Sequence, residues 1–388
     1  RDRIRFADVS FNFGVVGWGL RKSIAKLAHR PDEGHRLVAL ADPEPAAQSD
    51  FKTFSGGEIV GDYRDLTGLD AVFILSPDFL HEEHAIHFLE AGTPIYLEKP
   101  LAITVAGCDA ILAAAERTGT KLFAGHNMRY FGVVRKMKEW IEAGRIGEVK
   151  TAWCRHFVSY GGEAYFRDWH ADRSKTTGLL LQKGAHDIDI LHWLCGSYTE
   201  RAVGMGALSV YGEITDRLAP GEHRKVSFDG TWPPAALRPL NDVVDVEDVS
   251  LMLMQLENGV LASYEQCHFT PDAWRNYMVI GTEGRIENFG DAPGEAVVRL
   301  WNKNRFAYAE KGDEEFAIPP ASGTHGGADP LIVEDFLAYL HSGQRPATSP
   351  YAGRQAVAAG IAATESLRSG SKPVAVAKYA NAAKWIGH

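Results

Sequence analysis

Gly17-Trp18-Gly19, with Asp42 downstream, is the first group of residues whose types and spacing could do chemistry. In such a pair the first glycine permits a tight turn and the second lets backbone approach a pyrophosphate. A carboxylate roughly 20 residues on can accept ribose hydroxyls, so the group points to a bound dinucleotide. The third glycine of that fingerprint is missing, and Lys22 stands in its place. Asp42 would repel a 2′-phosphate, and Pro43 and Glu44 offer no positive charge to receive one. NAD is therefore favoured over NADP. Arg21 and Lys22 weigh on the other side, because either side chain has the reach for a phosphate; Leu20 completes the turn.

A hydride leaving a carbinol carbon must be accompanied by a proton leaving its hydroxyl, which at neutral pH needs a nearby base. Lys99, between Glu98 and Pro100, is the first candidate. Burial and the positive nicotinamide ring would both lower its pKa. A lysine taken alone is by default solvated, and it is the strand-end position of Lys99 that argues otherwise. His186 is the second candidate. On a helix, Gln182, His186 and Asp189 stand at i, i+4 and i+7 and share one face. The bland alternative is a satisfied core histidine. Two histidine groups invite a metal reading, but His81-Glu82-Glu83-His84 is one residue short of the zinc helix and His87 only extends its stripe. His186, Asp189 and His192 likewise lack independent support, and no metal is expected.

These residues need elements to hold them. Phe13–Val16 is a short apolar strand before the glycine turn, Ser23–Ala28 has helical character, and Leu37–Ala41 is a strand ending at Asp42. Ala71–Leu75 is a buried strand stopped by Ser76-Pro77. A helix from His81 to Ala91 ends at Gly92, and Pro94–Leu97 is a strand running into Glu98-Lys99-Pro100. A helix from Val105 to Arg117 ends at Gly119, and Lys121–Ala124 is the next strand. Strands alternating with helices predict a doubly wound parallel sheet, with ligands at the carboxyl ends of its strands.

Composition bounds the rest. The 388 residues suggest two domains, and 45% hydrophobic with 23% charged residues suits a globular chain. The net charge of −9 runs against nucleic-acid binding. Four isolated cysteines, Cys108, Cys154, Cys195 and Cys267, form no CxxC pair and suit a reducing, cytoplasmic setting. The charged start Arg1-Asp2-Arg3-Ile4-Arg5 is not followed by a long apolar run, so no secretory signal is expected, and no stretch is apolar enough to predict a membrane partner.

Gly17-Trp18-Gly19, Ser76-Pro77-Asp78-Phe79-Leu80-His81, Glu98-Lys99-Pro100, Gly125-His126-Asn127-Met128-Arg129-Tyr130 and the run Gly178–Asp189 follow one another in the order of a known family. The chain resembles the glucose–fructose oxidoreductase / inositol dehydrogenase / MocA family across most of its length. The resemblance implies an N-terminal Rossmann domain and a C-terminal α+β domain with a large, mostly antiparallel open sheet. It implies oxidation or reduction of a sugar, cyclitol or related polyol with NAD or NADP, a cis Lys99–Pro100 peptide, and pairing into homodimers or homotetramers. It further implies that Ser76, Pro77, His81, Glu98 and Asn127 contribute to the cofactor site. In inositol-dehydrogenase-like members the position four before the histidine is an aspartate; here it is Gln182. Glutamine can orient an imidazole but cannot stabilise an imidazolium by charge, which shifts proton transfer toward Lys99 or leaves Asp187 or Asp189 to compensate.

From Gly147 the pattern changes to longer strands. Lys150–Val158 alternates, Asn258-Gly259 is a hairpin turn between Leu251–Leu256 and Val260–Gln266, and Met278–Ile280 continues the series. Thr215–Asn241 is proline-rich and predicts an extended loop; Asp329-Pro330 and Ser349-Pro350 predict helix starts. Flat rings and donors suited to a sugar concentrate at Arg155, His156, Tyr160, Tyr165, Arg167 and Trp169, to which Arg129, Lys183 and His325 are added as candidate substrate contacts. The expected organisation is an NAD-binding domain over residues 1–124 and a substrate-binding and oligomerisation domain over 125–388, its last helices packing back on the first. An NAD-dependent sugar or cyclitol dehydrogenase is the leading expectation. A glycosidase of the same fold using transient oxidation, or a catalytically silent NAD- or sugar-sensing regulator, are the alternatives.

Overall fold

The computed structural model describes residues 9–222, 227–323 and 325–385; the charged run Arg1–Arg5 lies outside them. The first region alternates β1 (Asn12–Val16), α1 (Lys22–Ala28), β2 (Arg36–Ala41), α2 (Pro45–Ser55), β3 (Glu58–Val60), β4 (Ala71–Ile74), α3 (His81–Glu90), β5 (Ile95–Glu98), α4 (Val105–Thr118) and β6 (Leu122–Gly125). Its six strands pair in parallel in the order β3-β2-β1-β4-β5-β6. β4, β5 and β6 are buried at every residue, as expected of parallel strands covered by helices on both faces. The strand order reverses between β1 and β4, which opens a crevice at their carboxyl ends. Gly17, Asp42, Ser76 and Lys99 follow β1, β2, β4 and β5 and so line that edge.

The second region begins with α5 (Gly132–Glu142) and β7 (Val149–Phe157), then α6 (Arg173–Thr176), α7 (Leu179–Gln182) and α8 (Gly184–Cys195). There follow β8 (Thr199–Ala207), β9 (Val249–Leu256), β10 (Leu261–Cys267), β11 (Trp274–Gly281), β12 (Arg285–Phe289), β13 (Val297–Trp301) and β14 (Glu314–Ala317). The chain closes with α9 (Ala328–Ser342), α10 (Pro350–Arg368) and β15 (Val374–Ala375). Nine strands form a second sheet in the order β14-β13-β12-β11-β7-β10-β9-β8-β15, antiparallel except where β7 meets β10. The fold is therefore the expected one, a Rossmann-like parallel sheet joined to a mostly antiparallel open sheet.

Alternation along the strands decides what each face carries. On β7, Ala152, Cys154 and His156 are buried beneath α8, while Trp153 and Arg155 point to the other face. That outer face also exposes Leu253 (62%) and Leu261 (59%). Two contacts tie the regions together: α9 packs on α1, and α10 runs from β8 across to α4.

Helix starts follow local chemistry, with one difference from expectation. Ser349 caps α10 by accepting from the Ala352 N–H, with Pro350 at the first helical position. The helix predicted to start at Asp329-Pro330 instead begins at Ala328, and Asp329 is no cap. Its carboxylate accepts from Arg21 and Asn127, a use that a sequence pattern does not reveal. The proline-rich stretch lies between β8 and β9, and it folds against a π-helical turn at Gly162–Phe166. There Glu163 accepts from the backbone of Asp229 and Thr231, both at 3.0 Å.

Candidate active site

The glycine turn is shaped by two different demands. Gly17 has φ +88°, and a Cβ there would stand 2.8 Å from the Ser76 nitrogen and 2.9 Å from the Leu75 carbonyl. No other residue fits both the left-handed backbone and that contact with the end of β4. Gly19 is the opposite case, with nothing within 4 Å of where a Cβ would be, so backbone at this turn is open to a close-approaching group. Asp42 closes the turn: its carboxylate accepts from the Trp18 N–H at 2.6 Å and from the Glu44 N–H at 2.8 Å. Each of its oxygens retains acceptor capacity for a hydroxyl. An open glycine backbone beside a carboxylate fits the phosphate and ribose ends of a dinucleotide. Leu20, two-thirds exposed, adds no polar contact.

Several residues expected at the cofactor hold the strand ends in place. Arg21 donates to Glu98 at 2.7 Å and to both oxygens of Asp329, so its guanidinium is already committed and is not free to serve a phosphate. Glu98 uses its second oxygen on the Lys99 N–H at 2.9 Å. The buried His81 ring lies 2.7 Å from the Pro100 carbonyl and 2.9 Å from the Ser76 carbonyl, which ties β4 to the cis Lys99–Pro100 turn. Ser76 Oγ meets His84 at 2.9 Å, and Pro77 leads into the turn carrying Asp78. Asn127 is buried with its amide on Asp329, while its Oδ1 has no partner among the described residues. His325 contacts Arg21 and Asp329 and so belongs to this brace, not to the substrate side.

Across the crevice, α7 and α8 bring up Gln182, Lys183 and His186. Lys183 links the two helices with helical backbone angles, so they run almost as one. Lys99 Nζ donates to the Gln182 carbonyl at 3.1 Å. Burial lowers the Lys99 amine to about 8, with Lys183 pushing the same way and Asp78 opposing. Burial also drives His186 well below its ordinary range, reinforced by Lys99 and Lys183, so its imidazole is neutral and its Nδ1 has no hydrogen-bond partner among the described residues. An amine lowered toward neutral pH and a neutral imidazole within its electrostatic field are a pair able to accept and relay a proton.

The Gln182 side chain turns to the buried Asp78, whose carboxyl is raised by burial against the pull of His81 and Lys99. Asp78 was missed from sequence because it looked like one more turn residue after Pro77. Trp169 stacks on His170 with centroids 3.7 Å apart and meets Phe79 edge-on at 5.6 Å. Tyr165 sits edge-on to His170 at 5.3 Å, and Tyr160 lies with its hydroxyl 3.4 Å from Lys183 Nζ. Tyr160, Tyr165, Trp169 and Lys183 are thus brought together with Lys99 and His186.

Four other candidates are held by partners of their own. Arg129 is buried in a two-pronged pair with Asp189 (2.7 and 2.8 Å) and donates to the Ala347 carbonyl. Asp189 is therefore no support for His186. His156 is held by Asp187 at 3.0 Å, and Asp187 also binds Arg275 at 2.8 Å and the hydroxyls of Tyr264 and Tyr277. Burial would raise the Asp187 carboxyl, but Arg275 and His156 hold it far below the carboxylate range. Arg155 lies on the outer sheet face, donating to Asn276 at 2.9 Å. Arg167 is spent on Asp229 and the Arg238 carbonyl, fastening the loop over Tyr160.

Comparison with known proteins places this geometry. The model of an oxidoreductase family's NAD-binding Rossmann fold, GFO_IDH_MocA, matches residues 11–126, and that of its C-terminal alpha/beta domain matches residues 138–376. The chain belongs to the GFO_IDH_MocA oxidoreductase family. It is an enzyme of the dehydrogenase type whose first domain binds NAD. It is 26% identical over 307 residues to YteT of Bacillus subtilis, covering 69% of this chain and 72% of that one. It is 32% identical over 195 residues to inositol 2-dehydrogenase of Burkholderia multivorans, covering 48% of this chain and 55% of the relative, so the match spans about half that enzyme's length. Levoglucosan dehydrogenase, solved with NADH and levoglucosan, superposes with a TM-score of 0.76 over 95% of this chain and 100% of its own at 20% identity, which shows the shared fold. Among the described residues no helix is long and apolar enough to cross a membrane.

Proposed function

We propose that this protein is an NAD-dependent dehydrogenase moving a hydride between nicotinamide and a hydroxyl-bearing carbon of a sugar, sugar derivative or cyclitol. When bound, NAD supplies the hydride acceptor, and the open turn at Gly17–Gly19 with Asp42 would hold its pyrophosphate and adenosine ribose. Lys99 is the group that takes the hydroxyl proton. The single observation that carries this reading is the Lys99 amine at the end of β5, held by the Gln182 carbonyl and lowered by burial to about 8. His186, neutral and adjacent, orients the hydroxyl and relays the proton. Gln182 contributes through its carbonyl to Lys99 and its side chain to Asp78, in place of a carboxylate beside the histidine. Trp169, Tyr160 and Tyr165 offer flat faces and hydroxyls to a sugar ring.

The organisation that goes with this reading is an NAD domain over residues 1–124 and a substrate domain over 125–388. The outer face of the nine-stranded sheet, with Met205, Leu251, Leu253 and Leu261 exposed, suits pairing into a homodimer or homotetramer. Four unpaired thiols suit a cytoplasmic setting. The test is incubation with NAD and a panel of sugars and cyclitols, or with NADH and the matching ketoses, while following reduced nicotinamide. A signal abolished by Lys99→Ala supports the reading. No signal in either direction with any compound overturns it, whereas free sugar released from a glycoside without net NADH would turn it into the glycosidase.

A further inference from the structure

Lys183 is a buried charge whose surroundings differ from those of the paired arginines. Its side chain is only 8% exposed, yet no carboxylate among the described residues lies within ion-pair distance of its ammonium. What surrounds it is a pair of phenols: the Tyr160 hydroxyl at 3.4 Å, with the ring centroids of Tyr160 and Tyr165 at 5.5 and 5.6 Å. Lys99, Arg275, His156, His170, His186 and His268 share its field, and the Asp291 carboxylate acts on Tyr160 and pairs with Arg275 at 3.5 Å. Burying an ammonium without a counter-charge is costly, and proteins avoid it unless a ligand completes the site. Of the two neighbouring cations, Arg275 is paired with Asp187 and Asp291, and Lys99 donates to the Gln182 carbonyl with Asp78 in its field. Lys183 has only phenols at such distances, and the residue before it is the neutral Gln182.

We propose that Lys183, with the hydroxyls of Tyr160 and Tyr165, forms an anion subsite that receives a carboxylate on the substrate. The enzyme's substrate is then an acidic sugar or cyclitol, such as a uronate, rather than a neutral polyol. This rests on the dehydrogenase reading only in taking the crevice as the substrate site. A carboxylate is the matching anion because one ammonium balances one negative charge, and its two oxygens can accept from the ammonium and a phenol at once. A phosphate dianion would leave a second charge with no free cation to meet it. Tyr160 responds to the same field: the ammonium of Lys183 lowers its hydroxyl below the ordinary phenol range, which makes it a stronger donor to an arriving carboxylate.

The test is calorimetric titration of the NAD-saturated chain with matched pairs, D-glucuronate against D-glucose and D-galacturonate against D-galactose. At least one acid is expected to bind roughly ten- to hundred-fold tighter than its neutral partner, as a charge-assisted contact supplies. That ratio falls to about one in Lys183→Gln and is largely retained in Lys183→Arg, with NAD affinity and melting temperature showing that both variants are folded. No preference for either acid in the wild-type chain, a preference that survives Lys183→Gln, or tighter binding of glucose 6-phosphate than of glucuronate would each overturn the proposal. Formation of reduced nicotinamide is read separately. Lys183-dependent binding of an acid without turnover leaves the subsite standing and removes the dehydrogenase. Turnover of neutral sugars with no preference for acids does the reverse.

Discussion

Arginines and lysines are buried within a few residues of one another around the crevice, and they are treated in opposite ways. Arg129 meets Asp189, Arg275 meets Asp187, and Arg354 meets Asp109, each with at least one contact of 2.8 Å or shorter. Lys99 and Lys183 find only a carbonyl and phenols at hydrogen-bond or ring distance. A planar guanidinium that is always charged suits a permanent pairing, whereas an ammonium shifts its pKa readily when desolvated. The paired arginines are a frame: Arg129 and Arg275 hold α8 in place through Asp189 and Asp187, and Arg354 ties α10 to α4 through Asp109. On the proposed reading, the two lysines are the charges that the frame presents to a ligand. Burial alone thus does not separate structural from functional charge; the presence of a carboxylate does.

Three experiments press on that contrast. The largest effect is expected at Lys99. Lys99→Met should lower kcat by roughly 10²- to 10⁴-fold while leaving the melting temperature unchanged or higher, because it removes a general base and an unpaired charge together. In the wild-type chain kcat/KM for alcohol oxidation should rise with pH and level off above about 8, since the amine acts only when deprotonated. A loss of melting temperature in Lys99→Met would show that the lysine is part of the frame, and a flat profile would show that it is not the base.

Asp187→Asn comes next, with a stability effect of about 3–5 kcal/mol from leaving Arg275 buried without its partner. The folded-state carboxyl is depressed, so its contribution is full above the unfolded value near 4 and is lost as pH falls below it. Urea midpoints at pH 7 and about pH 2 should therefore differ less in the variant than in the wild-type chain. Equal midpoints for the two proteins at pH 7 would break the distinction between frame and site. The smallest effect is at Asp42, where Asp42→Ala should narrow the preference for NAD over NADP about tenfold by removing the repulsion of a 2′-phosphate. An unchanged ratio of the two dissociation constants would take Asp42 out of the ribose site.

Much of this was legible in the chain itself. Apolar runs of four or five residues separated by glycine and proline signals marked β1, β2, β4, β5 and β6, since strands buried on both faces have no polar alternation to disguise them. The glycine turn, Asp42, Lys99, Gln182 and His186 were found by type and spacing, and the family resemblance added their order. β13, β14 and the π-helical turn were not found, because short partly exposed strands and an irregular turn carry no periodic signal.

The sequence by itself determined the two-sheet architecture and the oxidoreductase family, and it nominated the proposed proton-transfer pair, because each depends on local patterns within a few tens of residues. Which polar residues are frame and which are site was decided by the tertiary structure alone. Arg21, Arg129, His156 and Arg155 have the same side chains that a sugar or phosphate site would use. Only contacts with residues far along the chain, Asp329, Asp189, Asp187 and Asn276, show that they are already satisfied. Lys183 was one candidate among many in the chain. The absence of a paired acid among the described residues around it is a property of several elements packed together, and no stretch of sequence carries it.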